Sequence, residues 1–161
     1  MPASVIGLNL KQGFPGTVSA LPDDVIRTFR VSAAVKVGQP VELVNVAGAN
    51  PKVKPATTAA TLGIVVRGVR TPTGLSWVQS DAEIPVDSFV DVLLRGNMSV
   101  VIDGGTPVAG AFANFDTATG NFTAEAVGGE RTVVASDNIV FSTAVVDTNK
   151  VTEVTVRTRA I

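Results

Sequence analysis

Two short acidic segments contain residue types that occur in catalytic and ligand-binding sites. Asp116-Thr-Ala-Thr-Gly120 has the composition of the Asp-Thr-Gly turn of aspartic proteases, but two residues separate Thr117 from Gly120. Aspartic proteases also need a second acid that shares a proton with the first. The segment therefore predicts a turn closed by the Asp116 side chain, with Gly120 at a positive φ, rather than a catalytic carboxylate.

The two acidic segments could also bind a cation or a phosphate. Asp116, Thr119 and Asn121 carry oxygens that suit a hard cation, but a calcium site usually has more carboxylates, which favours an Asx turn. Asp103-Gly-Gly-Thr106 is rich in glycine, yet no helical periodicity follows it, which favours a hairpin turn over a phosphate-binding loop. We predict no metal and no cofactor.

The residue types that the sequence lacks exclude several kinds of catalytic and metal site. It contains 0 His and 0 Cys, so it has neither the commonest general base near neutral pH nor a thiol nucleophile or thiolate metal site. A Ser-His-Asp triad is impossible, and serine–lysine chemistry is the nucleophilic arrangement that remains open. We predict that the protein is not an enzyme.

Composition limits the partners of the protein. The length of 161 residues predicts one domain, and the net charge of -1, without a basic stripe, gives no support for nucleic-acid binding. No apolar run approaches the ~20 residues of a membrane-spanning helix. Charged residues make up 17% of the chain, below the usual ~25%, which predicts that part of the surface is covered in the working state. The N-terminus lacks the pattern of a signal peptide, which predicts synthesis and use without Sec export.

The segment that would position these turns is 107–126, which is predicted as strand, tight turn and strand. The rest of the chain contains nine to twelve short strands, with turns every ~8–12 residues, a pattern typical of all-β proteins. We therefore predict an all-β fold, a small antiparallel β-barrel or a jelly-roll-like sandwich with an extended N-terminal arm. Residues 1–21 are assigned to the arm and residues 22–161 to a single β domain.

Several turns and strands of the domain are predicted from local patterns. Gly38-Gln-Pro40 and Gly105-Thr-Pro107 look like one hairpin turn used twice. The segment 84–102 predicts two strands, 86–94 and 97–102, joined by a turn at 95–97. In the C-terminal part, residues 131–134 and 139–145 are predicted as separate strands. A last strand over 150–159 follows a turn at Asp147-Thr-Asn149.

Two other segments leave alternatives open. Residues 21–29 suit either a short helical turn after Pro22 or a strand, and we favour the strand. Residues 47–60 form the longest irregular stretch, in which Pro51 and Pro55 bracket Lys52 and Lys54. This stretch predicts a surface loop, which is either a contact loop or a solvated connector.

The N-terminal arm contains an alternation that favours burial against a surface. Ile6, Leu8 and Leu10 alternate with small or polar residues in a predicted strand over 5–10, and Phe14 and Pro15 follow before a glycine. A docked arm is favoured over a frayed terminus. Trp77, the single Trp, is either an interface anchor or a core residue. The predicted partner-binding residues are Ile6, Leu8, Leu10, Phe14, Pro15, Lys52, Lys54 and Trp77.

Several motifs together resemble one protein family. They are Asp116-x-x-Thr-Gly-x-Phe-Thr-Ala124, the Phe14-Pro-Gly16 arm, the Gly38-x-Pro-Val41 strand entry, Asn138-Ile-Val-Phe-Ser-Thr-Ala144 and Val151-Thr-Glu-Val-Thr-Val156. This pattern is similar to that of the cement, or decoration, proteins of tailed bacteriophage capsids, and it covers most of the chain.

The resemblance implies a virion structural protein. Such a protein is made in the host cytoplasm, binds the outer surface of the capsid, bridges neighbouring major capsid subunits and stabilises the expanded head. Family members commonly sit as trimers or dimers at local symmetry axes. The resemblance implies no catalytic residue.

A carbohydrate- or receptor-binding β-sandwich adhesion module is the alternative. Modules of this kind present clustered aromatic side chains, whereas aromatics here make up 5% of the chain, with a single Trp and no Tyr. A β domain with some other role also remains open, and an enzyme is the weakest of the four hypotheses.

Overall fold

The computed structural model describes residues 14–19, 23–45, 47–68, 83–128 and 132–158. These residues form twelve β-strands and no helix, which confirms the all-β prediction. No helix among them is long and apolar enough to cross a membrane. The strands are β1 (Val18–Ser19), β2 (Val25–Val31), β3 (Val35–Lys36), β4 (Pro40–Val44), β5 (Lys52–Pro55), β6 (Gly63–Val65), β7 (Glu83–Ile84), β8 (Phe89–Val101), β9 (Phe112–Asp116), β10 (Phe122–Thr123), β11 (Val133–Phe141) and β12 (Val151–Val156).

A closed five-stranded barrel forms one half of the fold. Its strands follow the order β8, β2, β5, β4 and β6, and β6 pairs back onto β8 to close the ring. All of these pairs are antiparallel except β2 with β5, which is parallel. Of the two predicted architectures, the barrel and the jelly-roll-like sandwich, the protein therefore adopts the barrel. Closure gives every barrel strand two neighbours, although the pairing of β2 with β5 is confined to Arg30 and Val31 at the end of β2.

The second half is a sheet in the order β10, β9, β11, β12, β8 and β1, and it shares β8 with the barrel. The turn predicted at 95–97 is wrong, because β8 is one continuous strand of 13 residues. Gly96 has a φ of 129°, and the register against β2 shifts at this point. A glycine at positive φ can bend a strand as well as reverse it. Here partners on both sides keep the chain extended, so that β8 passes from the barrel into the sheet.

Two hydrophobic cores follow from the alternation of side chains along β8. Val90 and Val92 belong to the core inside the barrel, whereas Leu93 belongs to the core between barrel and sheet. Successive side chains of a strand point to opposite faces, so a single strand supplies both cores. Phe115 and Phe122 are fully buried in the second core. The Val-rich composition therefore fills a narrow barrel, and the few aromatics fill the space beside it.

The hairpin at the centre of the prediction is confirmed. Phe115 of β9 pairs with Phe122 of β10. The Asp116 Oδ1 atom accepts a hydrogen bond of 2.9 Å from the Ala118 N–H, and Gly120 has a φ of 76°. The favoured strand over part of 21–29 and the strand after Asp147-Thr-Asn149 are also present as β2 and β12.

Three local predictions are wrong because strand pairing overrides short sequence patterns. The predicted loop 47–60 contains β5, which pairs with β4 and β2. The Gly38 turn joins β3 and β4, which pair with other strands, so it is not a hairpin; Pro107 lies five residues before β9 begins at Phe112. Residues 133–141 form the single strand β11, whose register shifts where the Ser136 hydroxyl bonds the Ile139 N–H.

The described end of the predicted arm lies against the domain. Val18 and Ser19 pair with Met98 and Asn97 of β8, and the Gly16 N–H donates a hydrogen bond of 2.8 Å to the Ser99 carbonyl. The predicted strand over 5–10 lies outside the described residues. The domain boundary at 21/22 remains a prediction.

We expect Gly96→Ala to lower the free energy of unfolding by about 2 kcal/mol, because the substitution adds backbone strain and a contact. A Cβ atom at this position would lie 2.1 Å from the Oδ1 atom and 2.9 Å from the Cγ atom of Asp24, a short side chain whose Oδ1 atom is buried. Gly110→Ala is the matched control, since Gly110 also has a positive φ but a Cβ atom added there would have no atom within 4 Å. Urea unfolding of both variants measures the difference, and equal losses would contradict the role assigned to the contact at Gly96.

Candidate functional site

The acidic segments that could have formed a reactive site are closed turns. Thr119 Oγ1 donates to Asp103 Oδ2 at 3.0 Å, and the Asn121 amide donates to both carboxylate oxygens of Asp103 at 3.1 and 3.0 Å. Asp116 accepts from the Thr132 hydroxyl at 2.9 Å. Within the described ranges, no group of three or more His, Cys, Asp or Glu could hold a metal ion. These side chains therefore tie the hairpin to its neighbours.

Glu42 is a buried carboxylate on the barrel wall, with 9% of the residue exposed. Burial by itself would raise the pKa of Glu42. Lys54 and the hydrogen bonds from Thr57 and Thr58 lower the pKa by more than burial raises it, so that it is about 2. Lys54 Nζ lies 2.9 Å from Glu42 Oε1, and the Thr57 N–H donates to Oε2 at 2.9 Å. The Thr58 N–H and hydroxyl also donate to Oε2, at 3.2 and 3.1 Å. Both carboxylate oxygens of Glu42 therefore accept hydrogen bonds or an ion pair, and they hold the chain after β5 in place. This is a structural role.

Exposed apolar side chains are the feature of the surface that suits binding. Among the described residues they are Phe14, Ile26, Val86, Phe89, Val108, Phe112, Val127, Val145 and Val146. Six of them fall into two groups. The barrel patch consists of Val86 and Phe89 with the charged residues Arg30, Lys52 and Asp87. The loop patch consists of Val108, Phe112, Val145 and Val146.

The barrel patch lies at the first residue of β8. Phe89 is 74% exposed and pairs directly with Arg30 of β2, which pairs in turn with Lys52 of β5. Arg30 Nε and Lys52 Nζ each lie 3.2 Å from Asp87 Oδ1. An aromatic ring next to an arginine is the composition of many interface hot spots.

The loop patch lies at the other end of β8. It is carried by the loop before β9 and the loop after β11, which are held together because the Gly110 N–H donates to the Phe141 carbonyl at 2.8 Å. Between the two loops runs a groove whose apolar lining includes Ile102, Pro107, Ala144 and Val146. Val108 and Val145 are more than half exposed beside it.

The two patches lie towards opposite ends of the same strand, β8. Phe89 begins β8, and Ile102, which lines the groove, follows its last residue. At ~3.3 Å per residue the 13 residues of β8 give a path of at most roughly 40 Å along the strand, and the bend at Gly96 shortens the direct separation. The barrel patch and the loop patch can therefore contact two different partner molecules at the same time.

The structure brings one predicted partner-binding residue, Lys52, into the barrel patch. Lys54 is paired with Glu42, Pro15 is buried against the domain, and Phe14 is half exposed, with the Arg67 guanidinium 5.4 Å from its ring centroid. The predicted residues Ile6, Leu8, Leu10 and Trp77 lie outside the described part of the chain. Partner binding by all eight remains a prediction.

Sequence reasoning missed Phe89 and Arg30. The signal that could have found Phe89 is its position in the strand, because Phe89 shares a face with Asp91, while Val90 and Val92 share the other. An apolar residue in phase with a charged one points away from the core. Arg30 gave no such signal by itself, since its importance depends on the cross-strand neighbours Phe89 and Lys52.

Comparison with known proteins identifies one family. The family model for phage cement, described as "Structural cement protein (E217 gp24/Pam3 gp6)", matches residues 1–157. A search of curated proteins finds no match.

Proposed function

The chain belongs to the family of phage structural cement proteins, and we propose that it bridges neighbouring major capsid subunits on the outer surface of the shell. Membership of this family gives the protein a structural, stabilising role in the virion. The finer statements are the proposal: made in the host cytoplasm, it binds the expanded head from outside, and it self-associates as a trimer or dimer at local symmetry axes.

The observation that carries the proposal is the separation of the barrel patch from the loop patch. A bridging protein needs two contact surfaces on different sides, and grouped exposed apolar side chains, unlike single ones, mark contact surfaces. Phe89 is the most exposed large apolar side chain at one end of β8, and Val108 is the most exposed at the other. This supports contacts with two subunits at once.

Resistance to internal pressure also requires a stiff connection between the two patches. The barrel and the sheet share β8. A second connection joins the segment that precedes β6 to the strand β11. The buried Thr61 hydroxyl donates to Asn138 Oδ1, and the Asp137 N–H donates to the Ala59 carbonyl at 3.3 Å. These contacts support the transmission of load from one patch to the other. Repetition over a closed shell then multiplies modest single contacts, because tethered neighbours act at high effective concentration.

We expect the purified protein to co-sediment saturably with empty expanded shells and to raise their melting temperature. Because each site is assembled from neighbouring subunits, binding to free capsid subunits should be much weaker. Sedimentation and differential scanning calorimetry of the mixtures measure both effects. Equal affinity for shells and free subunits, or no effect on shell melting, would contradict the proposal.

Substitutions in each patch test the two contact surfaces separately. Phe89→Ser and Val108→Ser should each weaken shell binding about tenfold, which corresponds to ~1.4 kcal/mol, because hot-spot side chains carry most of the binding energy. Stability of the free protein should change little, since both side chains are mostly exposed. Ile26→Ser is the matched control, because Ile26 is an exposed apolar residue outside both patches. An equal loss of binding in Ile26→Ser would show that the patches are not the contacts.

A further inference from the structure

The barrel patch carries two cations for one carboxylate. Arg30 and Lys52 are neighbours in the parallel pair of β2 and β5, and both reach the same Oδ1 atom of Asp87 at 3.2 Å. One carboxylate balances one positive charge, so the triad keeps an excess of one positive charge. Half or more of the Arg30 and Asp87 side chains is exposed, which leaves the triad accessible to a partner.

Other acids on this wall of the barrel are already bonded elsewhere. Asp91 Oδ1 accepts a hydrogen bond of 2.6 Å from the Thr28 hydroxyl, and Glu42 is held by Lys54 and the threonines after β5. The positive charge of the triad is therefore not cancelled by a second acid in direct contact with Arg30 or Lys52 among the described residues.

The triad is held in place by the backbone. Asp87 has a φ of 66°, and its N–H donates to the Val31 carbonyl at 2.8 Å, while the Val31 N–H donates to the Ser88 carbonyl at 2.9 Å. This turn fixes the Asp87 carboxylate at the end of β2, where Arg30 and Lys52 meet it. The fixed Asp87 carboxylate therefore competes with a carboxylate of a partner for the two cations.

We infer that the barrel patch recognises a capsid-subunit segment in which a carboxylate lies next to an apolar side chain. The carboxylate would lie against Arg30 and Lys52, and the apolar side chain would pack on the exposed ring of Phe89, which pairs with Arg30. This inference rests on the proposed function and adds the chemistry of the partner.

Three substitutions test the inference: two are expected to weaken shell binding and the third is expected to strengthen it. Arg30→Gln and Lys52→Gln should each weaken binding to empty expanded shells roughly five- to tenfold at low salt, and should flatten its salt dependence. Asp87→Asn should strengthen binding several-fold, because it releases both cations, and Asn tolerates the positive φ. Arg157→Gln is the control for net charge, since Arg157 is exposed and follows β12 in the sheet.

Sedimentation with shells at several salt concentrations, with the free protein sized in parallel, gives the result. Weaker binding by Arg30→Gln and Lys52→Gln, together with tighter binding by Asp87→Asn, supports the inference. It is overturned if wild type binds shells but these variants bind equally, if Arg157→Gln has the same effect, or if only the oligomeric state changes. Failure of the wild type to bind shells would instead count against the proposed function.

Discussion

Replacing Gly63 by alanine is expected to lower the free energy of unfolding by about 4 kcal/mol, near the upper limit for single substitutions. Gly63 opens β6, the strand that closes the barrel against β8. A Cβ atom here would lie 2.1 Å from the Leu93 carbonyl oxygen and 3.0 Å from its carbon. Because these are backbone atoms of the neighbouring strand, they cannot rotate away, and the two strands would have to separate.

Separation of β6 from β8 would affect both cores. Ile64 and Val65 pair with Leu93 and Val92, so the same strand contact supports the core inside the barrel and the core beside the sheet. We therefore expect a lower midpoint in urea for the loss of both cores. The prediction concerns folding, and shell binding should fail in proportion to the unfolded fraction.

Gly104→Ala is the matched control for Gly63→Ala. Its added Cβ would lie 2.3 Å from Glu125 Oε1, which is the tip of a flexible side chain and can move aside. Neither glycine has a positive φ, so the comparison isolates the clash with a backbone. Urea unfolding followed by circular dichroism measures both variants. If Gly63→Ala costs no more than Gly104→Ala, the close approach of β6 and β8 is not required for stability.

Glu42→Gln is expected to lower the free energy of unfolding by about 3 kcal/mol at neutral pH. The pKa of Glu42 is lowered from 4.5 to about 2 in the folded protein, although burial alone would raise it, because Lys54 and the donors of Thr57 and Thr58 favour the charged form. Each pKa unit corresponds to ~1.36 kcal/mol. Glutamine keeps the shape of the side chain but loses the charge that these donors bind.

The same shift predicts acid lability with a definite sign. Since the folded-state pKa is below the unfolded-state value, the stabilisation is fully present above about pH 5 and is lost as the pH falls towards 2. The wild type should therefore lose about 3 kcal/mol over this range from Glu42. Glu42→Gln should lack that component, so that the two stability curves approach each other in acid.

Unfolding by urea from pH 2 to pH 7 measures the two curves. Glu83→Gln serves as the control, because Glu83 is an exposed carboxylate on the short strand β7. The free energy of unfolding of Glu83→Gln should equal that of the wild type at every pH. A constant difference between wild type and Glu42→Gln at every pH would indicate lost packing and would contradict the electrostatic role of Glu42.

Local patterns were enough to predict the strands and turns that depend on neighbouring residues. The hairpin with Phe115 and Phe122, the Asp147 turn and β12 all follow from side-chain alternation and from turn chemistry, and they are present in the structure. The absence of His and Cys is likewise a property of the sequence alone, and so is the prediction of a non-enzymatic protein that follows from it. The family resemblance was also visible at this level, because its motifs are turn-plus-strand patterns.

The tertiary structure alone decided how strands combine and which side chains reach the surface. Gly96 has the same preference in a turn and in a bent strand. Its pairing with Val156 of β12, next to the pairing of Arg95 with β2, selects the strand. Likewise, Lys52 and Lys54 belong to a strand because β4 and β2 lie beside them. The barrel patch depends on three strands that meet across the sheet. The physical reason is common to all three cases: their energies come from pairs of residues distant in sequence, which no local pattern records.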